Sequence, residues 1–404
     1  MRIVYVLLSP TFGMHQYTAD LANRVVCEDS VSRSRLDADA AILVTTTGYP
    51  ADRYSPAVEV LTPLSTTGTG FSGEGLRLRQ IGHIARQIVE LEPDVVHFTG
   101  PHLWNATLLR LLKAQGIPTI HTLHDLDPHK GRRFGALLPV WNSLVMRSAD
   151  TILVHGHCYR SRLIQQGLPA AKVVCTPLLH LFLSYRRQKA LADLEMAGGC
   201  LEPAYEPFVL FFGRLEEYKG IDVLLTAYAG LVSWANGESS ECDVNVTELI
   251  LAGPGDLAPL WTGNVPPRVG LRNGLIGDDE ALDLFRRCSL VILPYTDATQ
   301  SALIAAAYYF CKPVIVSCVG ALPEYVVDQE TGFVVEPGHP PSLERALVSA
   351  MADPGRLRQM GAAGRAWYDR RRFEETATLM RMYWQTAAGH KTGIRPRSSE
   401  PVIS

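Results

Sequence analysis

The chain of 404 residues is 47% hydrophobic and 20% charged, enough for two or three domains with cores of their own. Thirty-eight Lys and Arg against 41 Asp and Glu leave a formal net charge of −3, which argues against a nucleic-acid binder, since those are usually clearly basic. No stretch nears the roughly 18 apolar residues of a membrane span, and the opening run Ile3–Leu8 is too short for a signal peptide, so it reads as a first buried strand.

In chain order, short Val- and Ile-rich runs alternate with helical patterns, as in parallel strands buried on both faces and joined by crossover helices. The first series predicts strands at 2–8, 40–45, 94–98, 118–122 and 151–154. Helix faces between them are marked by Ile81, Ile84, Ile88 and Leu91, then by Leu108, Leu111 and Leu112. Residues 186–206, with Arg186-Arg187 and Gly198-Gly199, break the pattern and are expected to connect two domains. A second series predicts strands at 207–213, 248–252, 289–293, 313–317 and 332–335, with helices near 220–234, 278–287, 301–310 and 341–352. The polar segment 236–246 reads as a loop. The expected architecture is α/β: two tandem doubly wound, Rossmann-like domains, 1–185 and 207–370, facing across a cleft. A C-terminal helix at 371–388 is expected to pack back on the first domain, and 389–404 to be a disordered tail. Ligands are expected at the carboxyl ends of the strands, in the cleft.

The eight cysteines (27, 158, 175, 200, 242, 288, 311 and 318) form no C-x-x-C pair and no zinc spacing. Several lie in apolar runs, as Cys175 and Cys318 do, and read as reduced core thiols of a cytosolic protein. Gly68-Thr69-Gly70-Phe71-Ser72-Gly73 spells G-x-G-x-x-G, but it does not follow a strand directly and reads as a surface loop rather than a dinucleotide site. The segment Phe212–Gly220 is better placed, where the first strand of the second domain should end. Arg214 and Lys219, five residues apart, can clamp a diphosphate there and neutralise charge on a departing phosphate. Spacing alone also allows both to pair with Glu216 and Glu217 on a solvated turn.

Phe212-Gly213-Arg214-Leu215 with Lys219-Gly220 is followed by Ile250-Leu251-Ala252-Gly253-Pro254-Gly255, Gly277 and Lys312-Pro313-Val314-Ile315. Gly320-Ala321-Leu322-Pro323-Glu324 and Thr331-Gly332-Phe333-Val334-Val335 come next. In order and spacing this resembles the retaining family 4 glycosyltransferases over residues 1–385. In the first half, Glu92-Pro93-Asp94-Val95-Val96-His97 and Thr119-Ile120-His121-Thr122-Leu123-His124-Asp125 are similar to that family's acceptor-side strands. The resemblance implies the two-domain GT-B fold, with the nucleoside diphosphate on the second domain and the acceptor on the first.

It further implies that Arg214 and Lys219 grip the diphosphate, and that Gly213, Gly253, Pro254, Ile276 and Gly277 line the nucleotide. His124, which as a lone residue after a strand reads as structural, falls where the family has a histidine facing the donor sugar. Gly13 lies in the first strand-to-helix loop, near the donor phosphates, with His15 toward the acceptor. The family's two glutamates fall at Ala298 and Ala306, so both carboxylates are missing. Asp297 is the nearest acid, and the backbone of Thr299, Gln300 and Ser301, just before a helix, can meet a phosphate. His129, Lys130, Arg132 and Arg133 form a basic loop that can hold an acidic acceptor or an anionic membrane surface, or simply face solvent. The expectation is a nucleoside-diphosphate sugar as co-substrate, no metal or other cofactor, and a glycan, lipid-linked or small-molecule acceptor. The setting is polysaccharide or related biosynthesis in the cytoplasm or at the inner face of the membrane, with no nucleic acid. The missing glutamates keep a non-catalytic binding relative open, while a same-fold sugar-nucleotide epimerase would need cleft carboxylates that these positions lack.

Overall fold

The computed structural model describes residues 1–27, 36, 38–65, 78–127, 138–197, 204–235 and 247–391. The first domain holds β1 (Arg2–Leu7), β2 (Ala40–Thr46), β3 (Glu59–Leu64), β4 (Val95–Phe98), β5 (Thr119–Thr122), β6 (Thr151–Val154) and β7 (Val173–Cys175). They form one parallel sheet in the order β3-β2-β1-β4-β5-β6-β7. The second holds β8 (Phe208–Phe212), β9 (Glu248–Gly253), β10 (Val269–Asn273), β11 (Leu290–Leu293), β12 (Val314–Ser317) and β13 (Gly332–Val335), parallel in the order β10-β9-β8-β11-β12-β13. The crossovers are α1 (Phe12–Val26), α2 (Leu78–Glu90), α3 (Asn105–Ala114), α4 (Leu138–Ser148) and α5 (His157–Gln165) in the first domain. Those of the second are α7 (Ile221–Ala235), α8 (Asp278–Arg287), α9 (Ala302–Tyr309) and α10 (Pro340–Ala352), and α6 (Tyr185–Met196) lies between the domains.

The central strands are Val, Ile and Leu runs whose side chains are buried on both faces, as helices on either side of a parallel sheet require. Three strands outside the predicted set, β3, β7 and β10, are all edge strands. An edge strand is half solvated, so its sequence lacks a continuous apolar run; residues 271–273 of β10 are all exposed. On α3, Leu109 rather than Leu111 completes the buried face with Leu108 and Leu112, and Leu111 points outward. The expected connector begins as a helix, α6, while residues 198–203 lie outside the described part.

The last helix, α11 (Pro354–Lys391), is longer than the expected 371–388. Its first half lies on the second domain, where Arg365 donates to the Tyr309 carbonyl at 2.9 Å and Trp367 meets Tyr308 edge to face. Its second half crosses to the first domain. Arg372 grips Asp20 at 2.6 and 2.9 Å, Glu375 accepts from Arg24 at 2.9 Å, the Tyr383 hydroxyl meets His97 at 2.8 Å and Thr386 meets Thr151 at 2.8 Å. The helix also continues through 389–391, where a tail was expected; residues 392–404 are outside the described part, as is the 236–246 segment expected to be a loop.

Among the described cysteines, all free thiols, only Cys288 is fully buried. Cys175 is half-buried on an edge strand and Cys318, just past the end of β12, is exposed, so the expectation of core thiols fails at both. No helix among the described residues is long and apolar enough to cross a membrane.

Candidate active site

Both sheets reverse their winding once. The switch points lie between β1 and β4 in the first domain and between β8 and β11 in the second. At such a point the two neighbouring loops leave in opposite directions and open a crevice at the carboxyl edge, where ligands bind. The described candidate residues end or follow β1, β5, β8, β9 or β11, at the carboxyl edges beside these two crevices, except Ile276 and Gly277, which follow β10, and His15, which lies within α1.

In the second domain, the chain leaves β8 through Gly213, whose N–H donates to the Ala252 carbonyl at 2.8 Å. Gly253 at the end of β9 has φ +146°, and a Cβ there would lie 2.1 Å from the Gly213 carbonyl oxygen, so only glycine lets the two turns approach. Pro254 accepts from the Leu215 N–H at 2.8 Å. The N–H of Gly274, after β10, meets the Gly253 carbonyl at 3.4 Å, and Ile276 packs on the core while Gly277 starts α8. Leu275 between them is 88% exposed.

Arg214 and Lys219 have different surroundings. Arg214 is 62% exposed and rests on Glu216 at 3.4 Å, the solvated pairing that its spacing allowed. Lys219 is held: its ammonium sits 3.8 Å from the Tyr295 ring centre and 4.9 Å from that of Tyr218. Burial works against its charge, but the two tyrosines outweigh that effect and the pKa lies above that of an ordinary lysine. The Thr296 N–H donates to the Tyr218 carbonyl at 2.9 Å, and Gly220 (φ +66°) lies so near Pro294 that a Cβ would be 2.0 Å from its carbonyl oxygen. The loop carrying Lys219 is thereby fixed against the one leading to α9. That loop holds Asp297, Thr299, Gln300 and Ser301, and Ser301 caps α9 by accepting from the Leu303 N–H at 3.4 Å. The buried side-chain oxygen of Gln300 meets no donor among the described residues. Ala298 and Ala306, the positions without carboxylates, are both buried.

In the first domain, Thr99 follows β4 and its N–H donates to Val6 at the end of β1. His124 leans over this point: its Nε2–H donates to the Thr99 carbonyl at 2.8 Å, which fixes the tautomer and leaves Nδ1 as an acceptor with no partner among the described residues. Burial holds its pKa below the usual histidine value, so it is a neutral imidazole. Gly13 lies in the first turn of α1, with open space where a Cβ would stand. His15 is placed differently from the sequence expectation. It is fully buried, with Nδ1 2.8 Å from the Tyr54 hydroxyl, so it supports the α1 loop and presents no side chain to an acceptor. One α-helical turn carries it from the loop surface into the core. His129, Lys130, Arg132 and Arg133 lie outside the described residues, as does the 68–73 glycine run.

Contacts between the domains lie beside the crevices. Thr299 donates to Asp125 at 2.9 Å, and Arg53 meets Asp278 at 2.8 Å while its guanidinium covers Phe12 at 4.9 Å. Glu324 accepts from the N–H groups of His157 and Cys158 at 2.6 and 2.8 Å, a carboxylate from one domain capping α5 of the other. Asp125, Tyr218, Tyr295 and Glu324 carried no assigned role in the sequence reading. The only signal for Asp125 was that it follows His124, and no local pattern marks two tyrosines 77 positions apart as neighbours. Among the described residues no three His, Cys, Asp or Glu side chains gather as a metal-binding group.

Seven described histidines, His15, His97, His102, His121, His124, His155 and His180, are buried in or beside the first domain. Burial pushes His97 and His121 down to about 3, His15, His102 and His180 to about 4, and His124 and His155 below the usual value. Above pH 6.5 neither state protonates these groups and their stabilising contribution is complete. From pH 6.5 down to about 4 the unfolded chain takes up protons that the folded chain refuses, so stability falls with pH. A histidine displaced from 6.5 to about 4 contributes roughly 3 kcal/mol to this loss by the lower limit. The first domain should therefore unfold cooperatively on acidification between about pH 6 and 4.5, followed by circular dichroism. An unchanged melting temperature from pH 7 to 4.5 would show that the cluster accepts protons in place.

A family model described as "Glycosyl transferase 4-like domain" matches residues 12–178, and one described as "Glycosyl transferases group 1" matches residues 206–353. A D-inositol 3-phosphate glycosyltransferase of Streptomyces scabiei (strain 87.22) is 26% identical over 293 residues, covering 68% of this chain and 63% of that protein. The matched part is thus less than two thirds of that relative's length. A protein of the same name from Rhodococcus jostii (strain RHA1) is 23% identical, covering 96% of this chain and 88% of its own. Among solved structures, HepE from Anabaena in complex with UDP and glucose superposes with TM-score 0.65 at 18% identity, covering 96% of this chain and all of that one. Sucrose-phosphate synthase from Thermosynechococcus elongatus reaches TM-score 0.71 at 17% identity, with the same coverage. These superpositions show the shared two-domain fold.

Proposed function

The chain belongs to the family 4 glycosyltransferases, and on that premise we propose that it moves a sugar from a nucleoside diphosphate to an acceptor hydroxyl, with retention at the anomeric carbon. One observation carries the reading: the two switch points, with Lys219 and the amino end of α9 at one and His124 at the other, are joined across the domains by the Asp125–Thr299 contact. The diphosphate sits at the second-domain crevice, against Lys219 and the backbone of 299–301, where an ammonium and a helix amino end both favour anions. Arg214, loosely paired with Glu216 at the surface, swings onto the same phosphates. A uridine nucleotide as donor is supported by HepE, whose structure contains UDP and glucose.

The acceptor docks on the first domain, near Gly13. Closure of the domains excludes water and sets the acceptor oxygen against the anomeric carbon. The bond from that carbon to the phosphate oxygen breaks as the new carbon–oxygen bond forms on the same face, and the acceptor's proton passes to the departing phosphate. Lys219 and Arg214 neutralise the charge that develops there, so no metal ion is needed. The setting we propose is assembly of a glycan or lipid-linked saccharide in the cytoplasm.

Incubation with a panel of uridine and guanosine diphosphate sugars should release nucleoside diphosphate from at least one, with EDTA present, the sugar passing slowly to water where no acceptor is supplied. A folded chain that consumes none of them contradicts the reading. Tight binding without turnover, even with the native acceptor, would instead identify the non-catalytic relative that Ala298 and Ala306 suggest.

A further inference from the structure

We infer that Asp125 is the carboxylate that holds the donor sugar, reaching it from the first domain; this rests on the function proposed above. On the second domain, the loop before α9 offers an alanine methyl group at 298 and the helix itself another at 306, both buried, with no acid at either position. Besides Asp297 on the loop itself, the fold brings an acid to it from the other side of the cleft. Asp125, one residue beyond His124, accepts from the Thr299 hydroxyl at 2.9 Å.

The receiving loop is not free to move away from it. Gly320 has φ +53°, and a Cβ there would stand 2.0 Å from the Ala298 carbonyl oxygen and 2.7 Å from that of Thr299. The Ala321 N–H donates to the Thr299 carbonyl at 2.9 Å, and the Tyr159 hydroxyl reaches the same loop. The next acid along the chain, Asp127, is committed elsewhere, with both oxygens on Arg162. A diphosphate held by Lys219 and the amino end of α9 projects its sugar toward the first domain, onto His124 and Asp125. There a carboxylate accepts hydrogen bonds from sugar hydroxyls, while the neutral imidazole of His124 adds no competing charge. The ligand class is therefore a nucleoside-diphosphate hexose with free hydroxyls, whose sugar ties the two domains together. The Thr299 bond keeps the carboxylate oriented before the sugar arrives.

The test compares UDP with UDP-glucose, and GDP with GDP-mannose, by calorimetry on the full chain. For wild type, one sugar nucleotide should bind at least as tightly as its free diphosphate. Asp125→Asn should leave the affinity for that diphosphate within about twofold and weaken the sugar nucleotide about 30-fold, with kcat/KM falling in parallel. Asp125→Glu should restore part of the loss, and Asp297→Asn should leave the ratio unchanged. Should Asp125→Asn not fold, Thr299→Val keeps the acid but frees it, and should weaken the sugar nucleotide alone by about fivefold. An unchanged ratio in both Asp125→Asn and Thr299→Val, or a loss that follows Asp297 instead, overturns the assignment while leaving the proposed function standing. A folded wild-type chain that binds none of the four nucleotides overturns both.

Discussion

Lys219→Met should lower kcat/KM for the nucleotide sugar by about 10²–10³-fold, most of it in kcat, while the protein melts within a few degrees of wild type. Methionine keeps the unbranched apolar stem of lysine out to Cε, so the Tyr218 and Tyr295 faces remain largely covered. What disappears is a fixed charge. An ammonium held 3.8 Å from the Tyr295 ring centre, in a loop tied to Pro294 and Thr296, needs no reorganisation when charge develops on the departing phosphate. Arg214→Ala should weaken turnover less, because that side chain is largely solvated before the ligand arrives. Steady-state kinetics on the two variants checks the order. Equal losses would show that Lys219 is not pre-set, and full activity in Lys219→Met would remove it from the site.

Arg372→Met has the largest expected effect on stability. Arg372 lies between Asp20 on α1 and Glu375 on its own helix, and Arg24 completes a buried group of two acids and two bases. Removing one base leaves a buried carboxylate without compensation, which costs about 3–5 kcal/mol. For a domain of this size the melting temperature should drop on the order of 10 °C. The loss should fall on the seam between α11 and the first domain, so scanning calorimetry is expected to show that domain melting earlier than the second. A drop of under 2 °C would mean that the acids take up protons at little cost and that α11 is held mainly by Tyr383, Leu379 and Met382.

How far such features can be read from the sequence depends on whether the signal is local. The central strands are legible because burial on both faces forces unbroken apolar runs such as Leu290–Leu293 and Val314–Ser317. The edge strand Val269–Asn273 is not, because solvent on one side allows Arg272 and Asn273 within it. The length of α11 is hidden for another reason. Its contact face turns from the second domain at Trp367 to the first at Arg372 and Tyr383, so no single apolar stripe runs along it.

The same contrast holds in the site. Gly213, Lys219 and Gly253 are legible because backbone geometry and charge are fixed by residue type at a strand end. His15 misleads because its sequence neighbourhood is a loop, while one turn of helix takes its ring into the core. Asp125 and Tyr295 gain their meaning from the opposite domain and the neighbouring loop, across separations that no spacing rule spans.

The most direct measurement is a crystal structure of the full chain with the nucleoside diphosphate released in turnover. The terminal phosphate should lie within hydrogen-bond distance of Lys219 and the backbone of 299–301, with Arg214 turned away from Glu216 onto the phosphates and the base beside Gly253 and Ile276. A diphosphate bound at the carboxyl edge of the first sheet, with Lys219 still facing only its two tyrosines, would contradict this placement.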